Sequence, residues 1–160
     1  MAPGLCYGAS DVDLADDPIG CAVRLRRTLP AHLPLFSSPL RRCRRLAEAI
    51  HASPEYDDRL RELDFGAWEL RAWDDIARAD LDAWAAAPMT YAPPGGESIG
   101  RLWARVTAFL DERVRPARED CVLVTHAGVM RIVAAQLQGL PQAAWLGLRF
   151  PHGEVTVMQA

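Results

Sequence analysis

The sequence predicts an α/β fold, a parallel sheet with helices packed on its faces. Two strand–turn–helix units predict it, one over residues 33–50 and one over residues 121–138. In each, a short apolar run is followed by residues whose apolar members recur at helical spacing. The third observation is an apolar stripe between the units: Ile99, Leu102, Trp103, Val106, Phe109, Leu110 and Val114 share one face of a long helix.

Taken in order, Leu33-Pro34-Leu35-Phe36-Ser37 reads as a short buried strand. Leu40, Cys43, Leu46, Ala47 and Ile50 then mark a helix. Residues 88–96 contain Pro93-Pro94-Gly95-Gly96, which breaks regular structure, so a loop is expected there, over a site. Cys121-Val122-Leu123-Val124-Thr125 is a continuous apolar strand. The helix over residues 129–138 is stopped by Gly139 and Pro141. Residues 145–150 and 155–158 are expected as two strands turning at Pro151-His152-Gly153. There is no internal repeat and no linker, so one domain over residues 1–160 is expected, long enough to bury a core.

Half the residues are hydrophobic and 24% are charged, as in ordinary globular domains. The net charge of −3 argues against a general nucleic-acid binder, which needs a basic excess. All 18 basic residues are Arg, which with the many Ala residues fits GC-rich coding rather than chemistry. The four cysteines are scattered; reduced thiols are the simplest reading and a disulfide stays open. No apolar run reaches the length of a membrane span, and the start lacks a signal-peptide pattern, so a cytoplasmic location is expected.

Three constellations could carry chemistry. Ser37-Ser38-Pro39-Leu40-Arg41-Arg42 runs from a strand end into a helix, where free N–H groups and an arginine fork favour an anion. The alternative is that Arg41, Arg42, Arg44 and Arg45 form a solvated helix face. Thr125-His126-Ala127-Gly128 places His126 between a strand and a helix, where ligands of open α/β sheets bind, and Gly128 allows close approach. His126 as a capping or core residue is the competing reading. Glu62 in Leu60-Arg61-Glu62-Leu63-Asp64-Phe65-Gly66-Ala67-Trp68-Glu69 lies among apolar neighbours, a setting suited to proton transfer. Glu62, Asp64 and Glu69 as plain surface carboxylates remain the alternative.

Together these segments resemble a known family. Ser37-Ser38-Pro39-Leu40-x-Arg42, Leu60-x-Glu62-x-Asp64-Phe65-Gly66-x-Trp68-Glu69, Pro94-Gly95-Gly96-Glu97-Ser98 and Thr125-His126-x-Gly128-Val129-x-Arg131 occur in the order found in the histidine phosphatase superfamily. Pro3-Gly4-Leu5-Cys6-Tyr7-Gly8-x-x-Asp11-Val12 resembles its alpha-ribazole phosphatase branch, which acts in cobalamin assembly. The resemblance implies a phosphoglycerate-mutase-like fold: a three-layer sandwich with a mostly parallel central sheet and helices on both faces, here lacking the first strand. It implies a phosphatase working through a phosphohistidine on a small phosphate monoester, alpha-ribazole 5′-phosphate in that branch.

By the same resemblance Arg42 is the pocket arginine, His126 a second histidine that binds phosphoryl oxygens from the side, and Glu62 the acid that protonates the leaving oxygen. Ala127 and Gly128 join His126 in substrate binding, and Glu97 and Ser98 match a lid segment. Leu70 stands where the branch often has Gly, so the turn after Glu69 is expected to differ. No cofactor, no metal, no nucleic acid and no membrane are expected; a homodimer stays open.

The family's attacking histidine belongs to an Arg-His-Gly or Arg-His-Pro signature about ten residues before the Pro3-Gly4-Leu5-Cys6 match, and Met1 leaves no room for it. A mis-called start or a fragment is therefore expected, with the missing strand lying beside residues 121–125. His32 and His51 lie at helix-to-strand and helix-end positions, and His152-Gly153 imitates the signature only by letters, after Pro151. The competing functions are a non-catalytic phosphate-binding remnant and a phosphoglycerate mutase, for which the insert between Glu62 and Gly96 is short.

Overall fold

Leu35–Ser37 (β1) is the centre of a three-stranded parallel sheet in the computed structural model, which describes residues 4–12 and 18–159. Met1 and Pro3 lie outside the described residues. Glu55–Tyr56 (β2) and Val122–Val124 (β3) flank it in the order β2-β1-β3. Phe36 pairs with Glu55 and Leu123, and Ser37 with Tyr56 and Val124. Successive side chains of a strand point to opposite faces. Leu35 and Val124 therefore meet Cys43 and Ala47 on one face, while Phe36 and Leu123 enter the larger core on the other.

Helices cover both faces, which makes the three layers. Ile19–Thr28 (α1) packs on Arg41–Ile50 (α2), and α2 covers the Leu35 face. Arg78–Ala86 (α3) precedes Ile99–Phe109 (α4), and Ala127–Gln138 (α5) follows β3. Val106, Phe109, Val129 and Ile132 from α4 and α5 are fully buried against Phe36 and Leu60. Burying each of these side chains stabilises the fold by about 1.5–3 kcal/mol. Gly139 ends α5 in the left-handed conformation at φ 62°, as the sequence predicts.

Three expectations change. The long helix stops being α-helical at Phe109 and continues as a π-helical turn, Leu110–Val114. The wider turn keeps Leu110 in the core and sets the Arg113 guanidinium 4.8 Å from the centre of the Phe36 ring. The two strands expected over residues 145–150 and 155–158 are absent among the described residues. Instead Pro141 starts a short helix, Gln142–Trp145 (α6), and Trp145 is buried 5.4 Å from the Trp103 ring. Val157 is left 81% exposed, so the pattern that reads as a strand has no sheet to join. The turn at His152-Gly153 does form, with Gly153 at φ 69° and its carbonyl against Cys21 and Arg24 of α1. Finally, the sequence pattern does not anticipate α3, because this helix buries no residue fully and has weak periodicity; its half-buried Trp84 packs on Phe65 and Trp68.

Residues 88–96 lack regular structure, as expected, and form turns between α3 and α4. They are fastened to the Asp64–Ala67 stretch: Ala67 N–H donates to the Pro94 carbonyl at 2.9 Å and Glu97 N–H to the Asp64 carbonyl at 2.8 Å. Gly66 sits at φ 51° where a Cβ would come within 2.3 Å of the Pro94 oxygen, so only glycine fits this contact.

Candidate active site

Ser37 and Ser38 end β1 with no exposed surface, and their polar atoms are satisfied locally. Ser38 N–H donates to the Val124 carbonyl at 3.0 Å, holding the tip of β1 against β3. Leu40 N–H donates to Ser38 Oγ at 3.3 Å as the chain turns into α2. The sequence predicts a helix end that offers itself to an anion. It already holds one: Asp11 Oδ1 accepts the Arg41 N–H at 2.8 Å, so a carboxylate of this chain caps α2.

Arg42 and His126 are in direct contact. Arg42 Nε donates to His126 Nδ1 at 3.1 Å, and His126 Nε2 lies 2.8 Å from Ser38 Oγ. Because a guanidinium only donates, the imidazole proton sits on Nε2 and is directed at Ser38. His126 is 7% exposed, with the Cys43 sulfur 3.5 Å from Nε2. Burial first, then the positive charges of Arg42 and Arg105, push its pKa down to about 3, so the ring is neutral. Burial likewise raises the Cys43 thiol to about 12, against the Arg42 charge, which lowers it.

The rest of the Arg42 fork is not open. Nη1 donates to the Ser10 carbonyl at 2.9 Å and Nη2 to the Gly8 carbonyl. Glu69 grips the same segment from the other side. Its carboxylate accepts N–H groups from Gly8, Ala9 and Ser10 at 3.0, 2.9 and 3.2 Å, and from Phe65 at 3.0 Å. Glu69 is thus an organising residue, not a surface carboxylate. Burial opposes its ionisation, but these hydrogen bonds outweigh burial and hold its pKa below the ordinary carboxylate range.

Glu62 sits at the start of α5. Its Oε2 accepts the Gly128 N–H at 3.1 Å and its Oε1 the Leu63 N–H at 3.0 Å. A Cβ on Gly128 would lie 2.2 Å from Oε1, so glycine lets the carboxylate reach this position. Ala127 and Gly128 are the first two residues of α5, immediately after His126. Thr125 Oγ1 donates to the Leu60 carbonyl at 2.7 Å and ties the Glu62 segment to the end of β3.

Glu62 and Glu97 line an open hollow of about 290 Å³ together with Ala9, Asp58, Arg61, Asp64, Gly96, Arg101 and Arg105. Arg42 and His126 do not line it. They lie behind the Gly8–Ser10 segment, joined to Glu62 through the α5 N-terminus. Ser98 is buried and caps α4, its Oγ accepting the Arg101 N–H at 3.3 Å. Asp64 Oδ1 accepts the Gly66 N–H at 2.8 Å, a turn contact. His152 is exposed on the turn against α1, and His32 and His51 are also outside the hollow's lining. Among the described residues no group of three or more His, Cys, Asp or Glu side chains could hold a metal ion. No helix among them is long and apolar enough to cross a membrane.

Sequence reasoning missed Arg105. It follows Glu97 by eight residues on α4 and forms a bidentate pair with it at 2.7 and 2.8 Å. A polar position beside the apolar stripe of α4, one of three with Arg101 and Thr107, is its trace in the sequence. Leu70 corrects another expectation. The turn after Glu69 keeps a glycine-like geometry, since Leu70 itself takes φ 64°.

With this geometry in hand, the comparisons with known proteins are specific. The profile of the histidine phosphatase superfamily (branch 1) matches residues 2–160, and the chain belongs to that family. The class of enzyme is accordingly a phosphatase, a hydrolase. The chain is 30% identical over 167 residues to the adenosylcobalamin/alpha-ribazole phosphatase of Salmonella typhimurium, covering 94% of this chain and 79% of that one. The crystal structure of a phosphoglycerate mutase from Thermus thermophilus is 37% identical with a TM-score of 0.69, covering 84% of this chain and 75% of that one. An Escherichia coli structure described provisionally as an alpha-ribazole-5'-P phosphatase gives a TM-score of 0.82 at 25% identity, covering 94% and 79%. The fold is phosphoglycerate-mutase-like.

Proposed function

We propose that this protein hydrolyses a small phosphate monoester, alpha-ribazole 5′-phosphate, through a phosphohistidine. The observation that carries the site is the Arg42–His126 hydrogen bond at one end of β3, with the Glu62 carboxylate on the helix that His126 opens. An arginine and a neutral imidazole N–H are donors, the groups a dianionic phosphoryl group needs. Phosphoryl oxygens would take over the Arg42 Nη donors now given to Gly8 and Ser10, and the His126 Nε2–H now given to Ser38. Glu62, facing the open hollow, protonates the leaving oxygen. The similarity to the Salmonella enzyme supports the substrate.

The attacking histidine would lie on a strand beside β3, whose outer edge has no partner among the described residues. The test assays phosphate release from alpha-ribazole 5′-phosphate, phosphoserine and 3-phosphoglycerate. Both this chain and the same chain extended by its in-frame upstream codons are used. Release from alpha-ribazole 5′-phosphate with the highest kcat/KM supports the proposal; no release from either protein overturns it. Mutase activity primed by a bisphosphoglycerate would replace it by the mutase reading.

A second reading is phosphate binding without turnover. The Arg42–His126 pair keeps two phosphate-binding donors side by side without requiring an attacking group, and this observation favours it. Calorimetry with inorganic phosphate on this chain decides it: the heat should vanish in Arg42→Ala, and unchanged heats reject it.

A further inference from the structure

We propose that Arg105 is a positioning residue for Glu62, acting through the backbone rather than on the substrate. The inference rests on Glu62 being the proton donor. All five guanidinium N–H groups of Arg105 have acceptors. Nε and Nη2 take the two Glu97 oxygens at 2.7 and 2.8 Å. Nη1 donates to the Arg59 and Arg61 carbonyls, both at 2.7 Å, and Nη2 also to the Glu62 carbonyl at 3.1 Å. One rigid, planar group thus joins three carbonyls of the Glu62 segment to Glu97 and to α4. The pair is mostly sheltered, with 21% and 15% of the two side chains exposed.

Among the described residues the Glu62 carboxylate accepts two hydrogen bonds, from the Leu63 and Gly128 N–H groups. Neither fixes where its Cα stands. The segment carrying it runs from the short turn Asp58–Leu60 through extended residues that belong to no strand or helix; Thr125 holds the Leu60 carbonyl and Leu60 and Leu63 are buried, but Arg59, Arg61 and Glu62 itself are not anchored by these contacts. Arg105 restrains the carbonyls of those three residues. A displacement of about 1 Å in a reacting group can cost about a hundredfold in rate. Lysine has three donors and no planar fork, so it cannot reproduce the arrangement.

In the step concerned, the attacking imidazole nitrogen forms a bond to phosphorus as the ester P–O bond breaks. The bond's electron pair goes to the leaving oxygen, which takes the proton from the Glu62 carboxyl group and departs as an alcohol. An aryl ester such as p-nitrophenyl phosphate leaves as a stable phenolate and needs no such proton. Arg105→Gln should therefore lower kcat/KM for an alkyl phosphate by about 30-fold or more and for p-nitrophenyl phosphate by less than about threefold. Combining it with Glu62→Gln should cost no more than Glu62→Gln alone. Equal losses on both esters overturn the inference while leaving the phosphatase intact; inactivity of this chain and of its upstream-extended form on both esters rejects the phosphatase reading instead.

A second measurement does not depend on turnover. Amide hydrogen exchange in the full chain should speed up about tenfold at Leu63 and Gly128 in Arg105→Gln, with Ile132 and Val133 unchanged. Arg105→Lys should show the same pattern, and it serves if the Gln variant does not fold. Unchanged exchange at Leu63 and Gly128 in a folded variant, or wild-type behaviour of Arg105→Lys in both measurements, sinks the proposal.

Discussion

Glu62 Oε2 accepts the backbone N–H of Gly128 at 3.1 Å, so the carboxylate proposed to move a proton also caps the helix opened by His126. The absence of a side chain at Gly128 permits the contact. Gly128→Ala tests it. Alanine suits a helix better than glycine by up to about 1 kcal/mol, so stability in urea should hold. The new methyl group would displace the Glu62 carboxylate, and kcat/KM should fall by about 100-fold. Full activity in the variant would show that Glu62 need not stand there.

His126 makes stability depend on pH. In the unfolded chain it titrates near 6.5, and in the folded protein burial and Arg42 hold it to about 3. Between these values the unfolded state binds a proton that the folded state refuses. Stability therefore falls as pH drops from 6.5 towards 3, by at most about 1.4 kcal/mol per unit from this group. Urea unfolding at pH 7 and pH 5 should show a smaller difference in His126→Asn than in the wild type. Equal differences would mean that the folded ring takes up its proton normally.

Glu69 fastens the segment that closes over Arg42. Replacing it with Ala leaves the Gly8, Ala9, Ser10 and Phe65 N–H groups without their acceptor. The cost should be about 1–3 kcal/mol. Faster amide exchange confined to these four positions is the signature, and unchanged exchange there would disprove the tether. Since the folded pKa lies below the ordinary range, the tether is fully present above the unfolded value near 4.3 and is lost as pH falls through the folded one.

Leu70 holds a left-handed backbone conformation at φ 64° with 55% of its surface exposed. A non-glycine residue there costs about 1–2 kcal/mol, and glycine gives back part of that in chain entropy. Leu70→Gly should raise stability by about 0.5–1 kcal/mol. Thermal unfolding measures it, and a lowered midpoint would show that the Leu70 side chain contributes packing beyond its backbone strain.

Whatever near neighbours along the chain control was legible in the sequence alone. The apolar runs of β1 and β3, the periodicity of α2, α4 and α5, and the stop at Gly139 follow from spacing and local sterics. So do the places of Arg42 in the first turn of α2 and of His126 between β3 and α5. Which groups those residues meet was settled by packing across the whole molecule. Residues 145–158 read as strands because alternation is all that a sequence shows, yet Trp145 gained more by entering the α4–α5 core. The closure of the Arg42 fork by Gly8 and Ser10, the four backbone donors on Glu69, and the five acceptors around Arg105 join positions up to 61 residues apart. Most of these partners are backbone atoms, which every residue carries alike. A side-chain pattern cannot encode them, and they exist only once packing has brought the chain segments together.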